Sequence, residues 1–359
     1  MAGDQSGDSH AAKLMIELTQ IIPDVKFIGI GGEAMERAGL RSLVPLREIS
    51  VVGFWEVAKR YSFFKQLLSQ CEQIFQLGEI DCFIPVDYPG FNLRLSAFAK
   101  KNHIPVYYYI APQLWAWGAS RAKKLAAVID KLLVVFPFEV DFFRKFGIET
   151  EFVGHPLLDN EIFSLNLERK NRIALLPGSR LQEIKKHIPI MNKAASIIEK
   201  ELKGCKFGIA VSPLIQESVY KKMIPGSWEL FSDSRQLMKT SAVGIVKTGT
   251  STLEAALCGM PFVMMYKTSS ISYLLAKNLV QLPYISLVNI LVNKPVIPEL
   301  IQQEANPKSI ANHVIELFNN PGKQEVMKNE FLEIRSILGN PGASKRAAET
   351  IAHSMGIPR

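Results

Sequence analysis

Residues 172–180 have the sequence Arg-Ile-Ala-Leu-Leu-Pro-Gly-Ser-Arg, an apolar run that ends in a glycine-containing turn, and a helical stretch follows. An apolar run with little polar alternation is typical of a strand buried on both faces of a parallel sheet. Similar runs recur along the chain, so the pattern predicts an α/β fold of parallel sheets covered by helices. The other predicted strands lie near residues 26–30, 81–86, 105–110, 131–136, 206–211, 242–246 and 261–265.

The length of 359 residues predicts two domains, since one domain takes about 150 residues. The helical stretches between the strands lie near residues 8–21, 57–76, 93–101, 188–202, 252–258 and 306–319. A polar segment without clear periodicity spans residues 152–171, and we place the domain boundary there. We therefore expect a first domain over residues 1–157, a second over 158–327 and C-terminal helices over 328–359.

The composition excludes several protein classes. Hydrophobic residues make up 48% and charged residues 21%, which excludes disordered, collagen-like and disulfide-scaffold proteins. The four cysteines form no CxxC pair, which excludes a zinc site of that kind and indicates reduced thiols. No apolar run is long enough to cross a bilayer, and no secretory signal is visible. The expectation is a soluble intracellular protein.

The net charge of +8 lies in the second half of the chain. Residues 1–160 hold 17 basic and 18 acidic residues, whereas residues 161–359 hold 25 basic and 16 acidic ones. A basic second half suits an anionic ligand, a nucleic acid or an acidic membrane surface. A lysine-rich solvated surface explains the charge equally well.

The N-terminal motif Ala2-Gly3-Asp4-Gln5-Ser6-Gly7-Asp8 lacks the strand that normally precedes a glycine turn in a βα unit. We therefore expect the first sheet to lack its leading strand. Either the natural start lies upstream of Met1 or this sheet is built differently, and we favour the first explanation.

The turn Pro177–Arg180 is a candidate phosphate site. Gly178 lets the backbone approach a ligand, free N–H groups at a helix start attract phosphate, and Arg180 can bind it through two parallel hydrogen bonds. The alternative is an ordinary tight turn with a surface arginine.

A second turn of this kind follows the strand near residues 242–246. Small residues around Gly249 can cap the next helix and hold a diphosphate, and Glu254 can accept hydrogen bonds from ribose hydroxyls. The alternative role of Glu254 is a capping carboxylate. The turn lacks the Walker pattern, and His10, His155 and His187 lack metal-ligand spacing, so we expect no metal.

Asp87 follows the strand predicted at residues 81–86, at the edge where α/β sheets place reactive groups. It can act as a general base on a hydroxyl nucleophile, or it can cap a turn at Pro89.

Trp115 and Trp117 follow the next strand and can stack on a sugar, line a lipid-facing groove or belong to the core. The aromatic and basic stretch over residues 54–68 predicts an interfacial membrane helix or a helix packed on its sheet.

Seven motifs follow one another along the chain, namely Ala2–Asp8, Val86–Asn92, Pro112–Trp117, Phe152–Pro156, Leu175–Glu183, Gly249–Glu254 and Tyr284–Asn289. In this order they resemble the motifs of the lipid-A-disaccharide synthase family of glycosyltransferases. The resemblance covers nearly the whole chain and implies the GT-B fold, in which two Rossmann-like domains face each other across a cleft and the last helices return to the first domain.

The resemblance implies an inverting transfer of 2,3-diacylglucosamine from UDP to the 6-hydroxyl of 2,3-diacylglucosamine 1-phosphate (lipid X). It also implies a peripheral enzyme of the cytoplasmic face of the Gram-negative inner membrane, which works in lipid A and lipopolysaccharide biosynthesis without a cofactor or a metal. The expected partners are the two substrates and an anionic lipid surface but no nucleic acid, and a homodimer is left open. The alternative is another GT-B enzyme that uses a UDP-sugar, a glycolipid transferase or an epimerase.

The resemblance also assigns roles to single residues. Asp87 matches the catalytic base and Arg180 the arginine that holds the donor phosphate. The expected UDP-binding positions are Gly178, Ser179, Gly249, Thr250, Ser251, Thr252, Glu254 and Asn289. The expected cleft and acceptor positions are Gly7, Asp8, Asn92, Gln113, Trp115 and Trp117.

Overall fold

A computed structural model of the protein describes residues 1–49, 60–159, 169–268, 273 and 282–357. The chain divides into two compact units, one of Met1–Asn160 with Leu338–Arg359 and the other of Glu161–Ile337. Every strand pairing in the described residues is parallel, and helices separate most of the strands along the chain. The predicted α/β class is therefore confirmed.

The described residues of the first unit form five short strands among their helices. The strands are β1 (Phe27–Gly31), β2 (Leu40–Pro45), β3 (Tyr107–Tyr109), β4 (Lys131–Val134) and β5 (Thr150–Phe152). The helices are α1 (Gln5–Ile21), α2 (Glu33–Arg37), α3 (Leu46–Ile49), α4 (Tyr61–Gln76), α5 (Pro89–Lys101), α6 (Leu114–Trp117), α7 (Ala122–Ala126) and α8 (Phe138–Arg144). Short 3₁₀ helices span Ala119–Arg121 and Pro156–Asp159.

Residues 1–2 and 83–86 connect the two sheets of the first unit. The N–H of Ala2 donates to Ile30 of β1, and Ala2 pairs in parallel with Val86, which in turn pairs with Tyr109 of β3. The order across the unit is therefore β2, β1, Ala2, residues 83–86, β3, β4 and β5. The order reverses between Ala2 and Val86, and ligands of open α/β sheets bind beside such a reversal.

Met1 and Ala2 lie where the expected leading strand would end. The ammonium group of Met1 donates to the carbonyl of Ile84 at 2.7 Å, and the N–H of Val86 donates to the carbonyl of Met1 at 2.8 Å. A largely apolar cavity of about 180 Å³ adjoins Met1, β1, α1 and residues 79–84.

Residues 81–86 form isolated bridges at Phe83 and Val86 rather than the continuous strand that the apolar run predicts. The physical reason is Pro85, which has no N–H group to donate to a neighbouring strand.

Within the part of the second unit that the structure describes, the strands form one six-stranded sheet. Its strands are β6 (Lys170–Leu176), β7 (Lys206–Ala210), β8 (Glu229–Phe231), β9 (Ser241–Lys247), β10 (Phe262–Tyr266) and β11 (Glu299–Ile301). Its helices are α9 (Leu181–Glu201), α10 (Glu217–Lys221), α11 (Ser234–Thr240), α12 (Thr250–Leu257), α13 (Leu287–Val292), α14 (Pro307–Asn319) and α15 (Pro321–Ile337).

The strand order of the second sheet is β8-β7-β6-β9-β10-β11, the doubly wound order of nucleotide-binding α/β domains. The chain starts at β6 in the middle, moves outward to β8, returns to β9 and moves outward again. The order reverses between β6 and β9, so the turns that follow these two strands lie at the position where such sheets bind ligands.

The C-terminal residues form two helices that belong to different units. Residues 328–337 lie in α15 of the second unit, although we expected them among the returning helices. The last helix, α16 (Ala343–Ser354), belongs to the first unit and packs against α1. The carboxylate of Asp159 accepts hydrogen bonds from three N–H groups at the start of α16.

The aromatic helix α4 packs on its sheet. Leu67, Cys71 and Phe75 are buried in the core of the first unit, and Phe63 and Phe64 pack against that core. Tyr61 is 62% exposed at the helix start. Residues 54–59 of the predicted interfacial stretch lie outside the described residues.

Candidate active site

Asp87 begins a strained turn at the reversal point of the first unit. Asp87 has a φ of 49° and Tyr88 a φ of 51°, so two consecutive residues other than glycine adopt the left-handed conformation. Such conformations cost free energy and persist where surrounding contacts enforce them, commonly at functional sites. The turn leaves Asp87 half-buried beyond the end of residues 83–86.

Two buried side chains hold this turn through one carbonyl group. The hydroxyl of Tyr108 and the Nδ2 of Asn92 each donate to the carbonyl of Asp87 at 2.7 Å. The ring of Tyr88 lies against Gly3, where any side chain would collide with it. Asn92 is fully buried, so in this structure it supports Asp87 rather than presenting its amide at the surface.

The tryptophan motif forms α6 after β3. The indole Nε1 of Trp115 donates to Oε1 of Glu139 at 2.9 Å, and the Trp115 ring meets the Phe138 ring edge to face at 4.9 Å. Gln113 is exposed directly before α6. The side chain of Trp117 lies outside the description.

Glu139, in the first turn of α8, is a site residue that the sequence did not reveal. It is 1% exposed, and its Oε2 accepts from the N–H groups of Phe136 and Val135 at 3.1 and 3.3 Å. Burial raises the pKa of Glu139 to about 7, hydrogen bonds from Trp115 and the backbone oppose the rise, and the charge of Asp87 adds to it. A glutamate in the first turn of a helix is usually a capping residue. The sequence position of Glu139 therefore did not indicate a role at this site.

Gly7 and Asp8 lie in the first turn of α1. Asp8 is 6% exposed, and its carboxylate accepts from the N–H groups of Gly32, Ala34 and Met35 at 2.7–3.1 Å. The N–H of Gly7 donates to Asp4, the N-cap of α1, at 2.8 Å. The Asp8 carboxylate is thus engaged by the backbone, and we expect it to act by holding the loop after β1.

The turn after β6 contains the first predicted phosphate loop. Gly178 has a φ of 113°, and a side chain there would collide with the carboxylate of Glu183. Ser179 is exposed, and Arg180 is the N-cap residue of α9. The turn therefore requires glycine and directs the first N–H groups of a 21-residue helix toward the carboxyl edge of the sheet.

Glu183 and Lys247 connect this turn to the end of β9. The N–H of Ser179 donates to Oε2 of Glu183 at 3.2 Å, and Nζ of Lys247 lies 2.8 Å from its Oε1. Burial alone would raise the pKa of Glu183, but the charges of Lys247 and Arg180 outweigh it and lower the pKa. Lys247 is the last residue of a buried strand, and only the strand order brings it to Glu183.

His187 of α9 lies between two further loops at this edge. Its Nδ1 is 2.8 Å from the carbonyl of Pro177, and its Nε2 is 3.2 Å from the carbonyl of Lys267. Burial lowers the pKa of His187, and the two carbonyl contacts oppose that change. The imidazole therefore fixes the turn after β6 relative to the loop after β10.

The second glycine turn begins α12 at the end of β9. Gly249 has a φ of 136°, and its carbonyl accepts from the buried Thr252 hydroxyl at 2.8 Å. Thr250 and Ser251 form the start of the helix and are half-buried. The N-terminus of α12 therefore lies next to Lys247.

Glu254 is paired with an arginine in this structure. Nε and Nη2 of Arg235 both lie 3.3 Å from Oε1 of Glu254. Burial raises the pKa of Glu254, and the Arg235 guanidinium opposes part of the rise.

Asn289 is 1% exposed and bonds to its own chain through every polar atom of its side chain. Nδ2 donates to Ile297 at 3.0 Å and to Glu299 at 2.9 Å, and Oδ1 accepts from the N–H of Ile297 at 3.0 Å. In this structure Asn289 supports the loop before β11, and its role in UDP binding stays a prediction.

The structure thus brings some of the predicted residues together in each unit, whereas Asp8 holds the loop after β1 and Asn289 the loop before β11. In the first unit, Trp115 donates to Glu139, and the charge of Asp87 raises the pKa of Glu139. In the second, the turns of Gly178 and Gly249 lie side by side with Lys247 and Glu183. Within the described ranges, no group of three or more His, Cys, Asp or Glu side chains is arranged to hold a metal ion.

The family model for lipid-A-disaccharide synthetase matches residues 1–352. The chain belongs to the lipid-A-disaccharide synthase family. A lipid-A-disaccharide synthase of Syntrophus aciditrophicus is 36% identical over 364 residues, which cover 97% of this chain and 95% of the relative. A lipid-A-disaccharide synthase of Persephonella marina is also 36% identical, over 97% of this chain and 96% of the relative. The resemblance inferred from the motifs is thus confirmed, as is the class of enzyme, a hexosyltransferase.

Solved structures with similar folds are GT-B enzymes, which confirms the predicted fold. A UDP-GlcNAc 2-epimerase from Neisseria meningitidis superimposes with a TM-score of 0.67 over 98% of both chains, at 14% identity. The calicheamicin glycosyltransferase superimposes with a TM-score of 0.61 over 96% of this chain and 94% of that chain, at 13% identity. At these identities the likeness concerns the fold alone.

Among the described helices, none has the length and apolar character needed to cross a membrane.

Proposed function

We propose that this protein transfers 2,3-diacylglucosamine from UDP to the 6-hydroxyl of 2,3-diacylglucosamine 1-phosphate. The products are UDP and a β-1,6-linked disaccharide 1-phosphate. The observation that carries the proposal is the match of the lipid-A-disaccharide synthetase model over residues 1–352. The turn at Asp87 and the two glycine turns of the second sheet supply the chemical groups that such a reaction needs.

Asp87 is the proposed general base. The acceptor hydroxyl gives its proton to the Asp87 carboxylate while its oxygen bonds to the anomeric carbon and the bond from that carbon to the UDP oxygen breaks. A single displacement of this kind inverts the anomeric centre. The support for this role is the strained turn and its two buried supports, Tyr108 and Asn92, since catalytic groups must be held in place.

The second unit is the proposed UDP-binding unit. Negative charge grows on the diphosphate as it leaves, and positive groups already in position stabilise it without rearrangement. Arg180 and Lys247 supply positive charge, and the starts of α9 and α12 supply N–H groups from residues 178–182 and 249–252. Glu254 is proposed to accept from the ribose hydroxyls after its contact with Arg235 rearranges.

The acceptor side is proposed to include Trp115, Trp117 and Gln113. An indole face can pack against a sugar ring or an acyl chain. Asn92 and Asp8 are proposed to support this side through the backbone groups that they bind, and Gly7 through its N–H, which donates to Asp4.

We propose a peripheral location at the cytoplasmic face of the inner membrane, because both substrates carry acyl chains. Each lysine or arginine near an anionic bilayer contributes about 1 kcal/mol of binding free energy, and residues 161–359 carry a net positive charge. Flotation with anionic vesicles at low salt is expected to recover the protein in the lipid fraction. Recovery in the aqueous fraction alone would contradict the membrane proposal.

The direct test measures UDP release from UDP-2,3-diacylglucosamine with and without lipid X, and identifies products by mass spectrometry. We expect a disaccharide monophosphate that forms only when lipid X is present. Conversion of the UDP-sugar without an acceptor would instead indicate an epimerase. Retention of activity in EDTA is expected for a metal-independent reaction, and sedimentation velocity measures whether the protein dimerises.

A further inference from the structure

The carboxylate of Glu139 is surrounded by hydrogen-bond donors. Oε1 accepts from the indole of Trp115 at 2.9 Å, and Oε2 accepts from the N–H groups of Phe136 and Val135. The side chain is 1% exposed, so these contacts are made away from bulk water.

The bonding pattern belongs to the ionised form of this carboxyl group. A protonated carboxyl carries an O–H that needs an acceptor, whereas all three neighbouring groups are N–H donors. Protonation of either oxygen therefore weakens the contacts that this oxygen accepts, and protonation of Oε1 weakens the contact to Trp115.

The contact between Glu139 and Trp115 lies next to the strand end that carries Asp87. Trp115 lies on the segment that follows β3, Glu139 on the segment that follows β4, and Asp87 at the end of residues 83–86. These three strand ends are neighbours in the sheet. One carboxylate thus connects the backbone after β4 to the indole beside the strand end that carries Asp87.

We propose that ionised Glu139 is a positioning residue that holds the Trp115 indole for acceptor binding, and that acceptor binding weakens when Glu139 takes up a proton. The part of this proposal that concerns acceptor binding rests on the proposed function. The part that makes the Trp115 indole depend on the charge of Glu139 does not rest on it.

Burial and the groups around this carboxyl determine its titration. Burial raises the pKa of Glu139 to about 7, the hydrogen bonds from Trp115 and the backbone oppose the rise, and the Asp87 carboxylate adds to it. His155 lies next to the Phe136 ring at 5.3 Å and meets His10 at 6.4 Å. Burial lowers the pKa of His155 to about 3, so that imidazole stays neutral while Glu139 titrates. Asp141 and Arg144 of α8 itself are exposed.

The first test is a ¹H–¹⁵N spectrum of the tryptophan indoles between pH 5.5 and 8.5. The chain has four tryptophans, and Trp115→Phe identifies the Trp115 signal. We expect this signal to titrate with a midpoint near pH 7 and the titration to disappear in Glu139→Gln. Glu36→Gln, which changes an exposed glutamate of the same unit, should leave the titration intact. A Trp115 signal that does not titrate, or that titrates equally in Glu139→Gln, would overturn the proposal.

The second test separates KM for lipid X from kcat. We expect Glu139→Gln and Trp115→Phe each to raise the KM for lipid X about tenfold or more, with a much smaller change in kcat. The double variant should be no worse than either single variant, because both remove the same contact. Effects that multiply, or a loss confined to kcat, would overturn the positioning role. Failure of the proposed function would appear differently, as a wild-type protein whose Trp115 signal titrates but which forms no disaccharide.

Discussion

Nζ of Lys247 lies 2.8 Å from Oε1 of Glu183, and both side chains are more than four-fifths buried. The pair connects the end of β9 to the first turn of α9, at the point where the strand order of the second sheet reverses. Glu183 also accepts from the N–H of Ser179, so one carboxylate occupies two groups that suit a phosphate. We infer that, when UDP binds, its diphosphate replaces Glu183 as the acceptor for the N–H of Ser179 and for Nζ of Lys247.

Replacement of Lys247 by methionine is expected to weaken UDP binding by about tenfold to hundredfold, since a hydrogen bond to a charged group contributes about 1.5–3 kcal/mol. Isothermal titration calorimetry with UDP measures the change. Lys221→Met is the matched control, because Lys221 forms an exposed pair with Glu217 in the same unit. Equal UDP affinity in Lys247→Met and wild type would show that Lys247 does not contact the donor.

Asp87→Asn is expected to lower kcat by about 10²–10⁴, the usual contribution of a general base. The amide keeps the shape of the side chain, and Tyr108 and Asn92 still hold the backbone carbonyl. UDP affinity should therefore stay close to that of the wild type. Parallel losses of kcat and thermal stability would indicate a structural aspartate instead.

Gly178→Ala should reduce UDP affinity at least tenfold, because residue 178 has a φ of 113° and a Cβ would meet Glu183. Gly226→Ala provides the comparison, since no atom lies within 4 Å of a Cβ at that exposed turn. Calorimetric titration and thermal melts of both variants measure the effect. The expectation fails if the two alanine variants bind UDP alike.

Asn289→Ala is expected to lower the free energy of unfolding by about 2 kcal/mol or more, because the N–H and carbonyl of Ile297 lose their partner inside the protein. The loss should be measurable by urea unfolding without UDP. Asn312→Ala, on the exposed face of α14, should change stability by less than about 0.5 kcal/mol. Unchanged stability with a weakened UDP affinity would favour a direct contact between Asn289 and the nucleotide.

The raised pKa of Glu139 predicts how stability depends on pH. The folded protein binds this proton more tightly than the unfolded chain, so stability should decrease as pH rises from about 4.5 to about 7. The difference between the ordinary pKa of about 4.5 and the raised pKa of about 7 corresponds to about 3 kcal/mol in the free energy of unfolding. Urea unfolding of wild type and Glu139→Gln across this range isolates the contribution, with Glu36→Gln as the control. A stability difference between wild type and Glu139→Gln that is independent of pH would contradict the shift.

The α/β class and the two glycine turns were predictable from the sequence because they depend on local chemistry. Buried strands show as apolar runs, and Gly178 and Gly249 follow such runs because the turns need positive φ values. The motifs were specific enough to identify the family. The strand predicted at residues 81–86 was only partly formed, because Pro85 interrupts the pairing.

The supporting residues were not predictable, since each depends on partners far away in the sequence. Trp115 meets Glu139 across 24 residues, and Lys247 meets Glu183 only because β6 and β9 are neighbours. Asp8, Asn92 and Asn289 belong to recognisable motifs, yet only their buried surroundings show that their polar groups bind the backbone.

The sequence by itself determined most of the central buried strands, where glycine is required and which family the chain joins, because these follow from short-range conformational preferences and motif order. The short outer strands β2, β5, β8 and β11 were not predicted. The tertiary structure alone decided which strand ends are neighbours and which buried charges are paired. The physical reason is that burying a polar group costs free energy unless a hydrogen-bond partner lies within reach. The strand order determines which group is that partner.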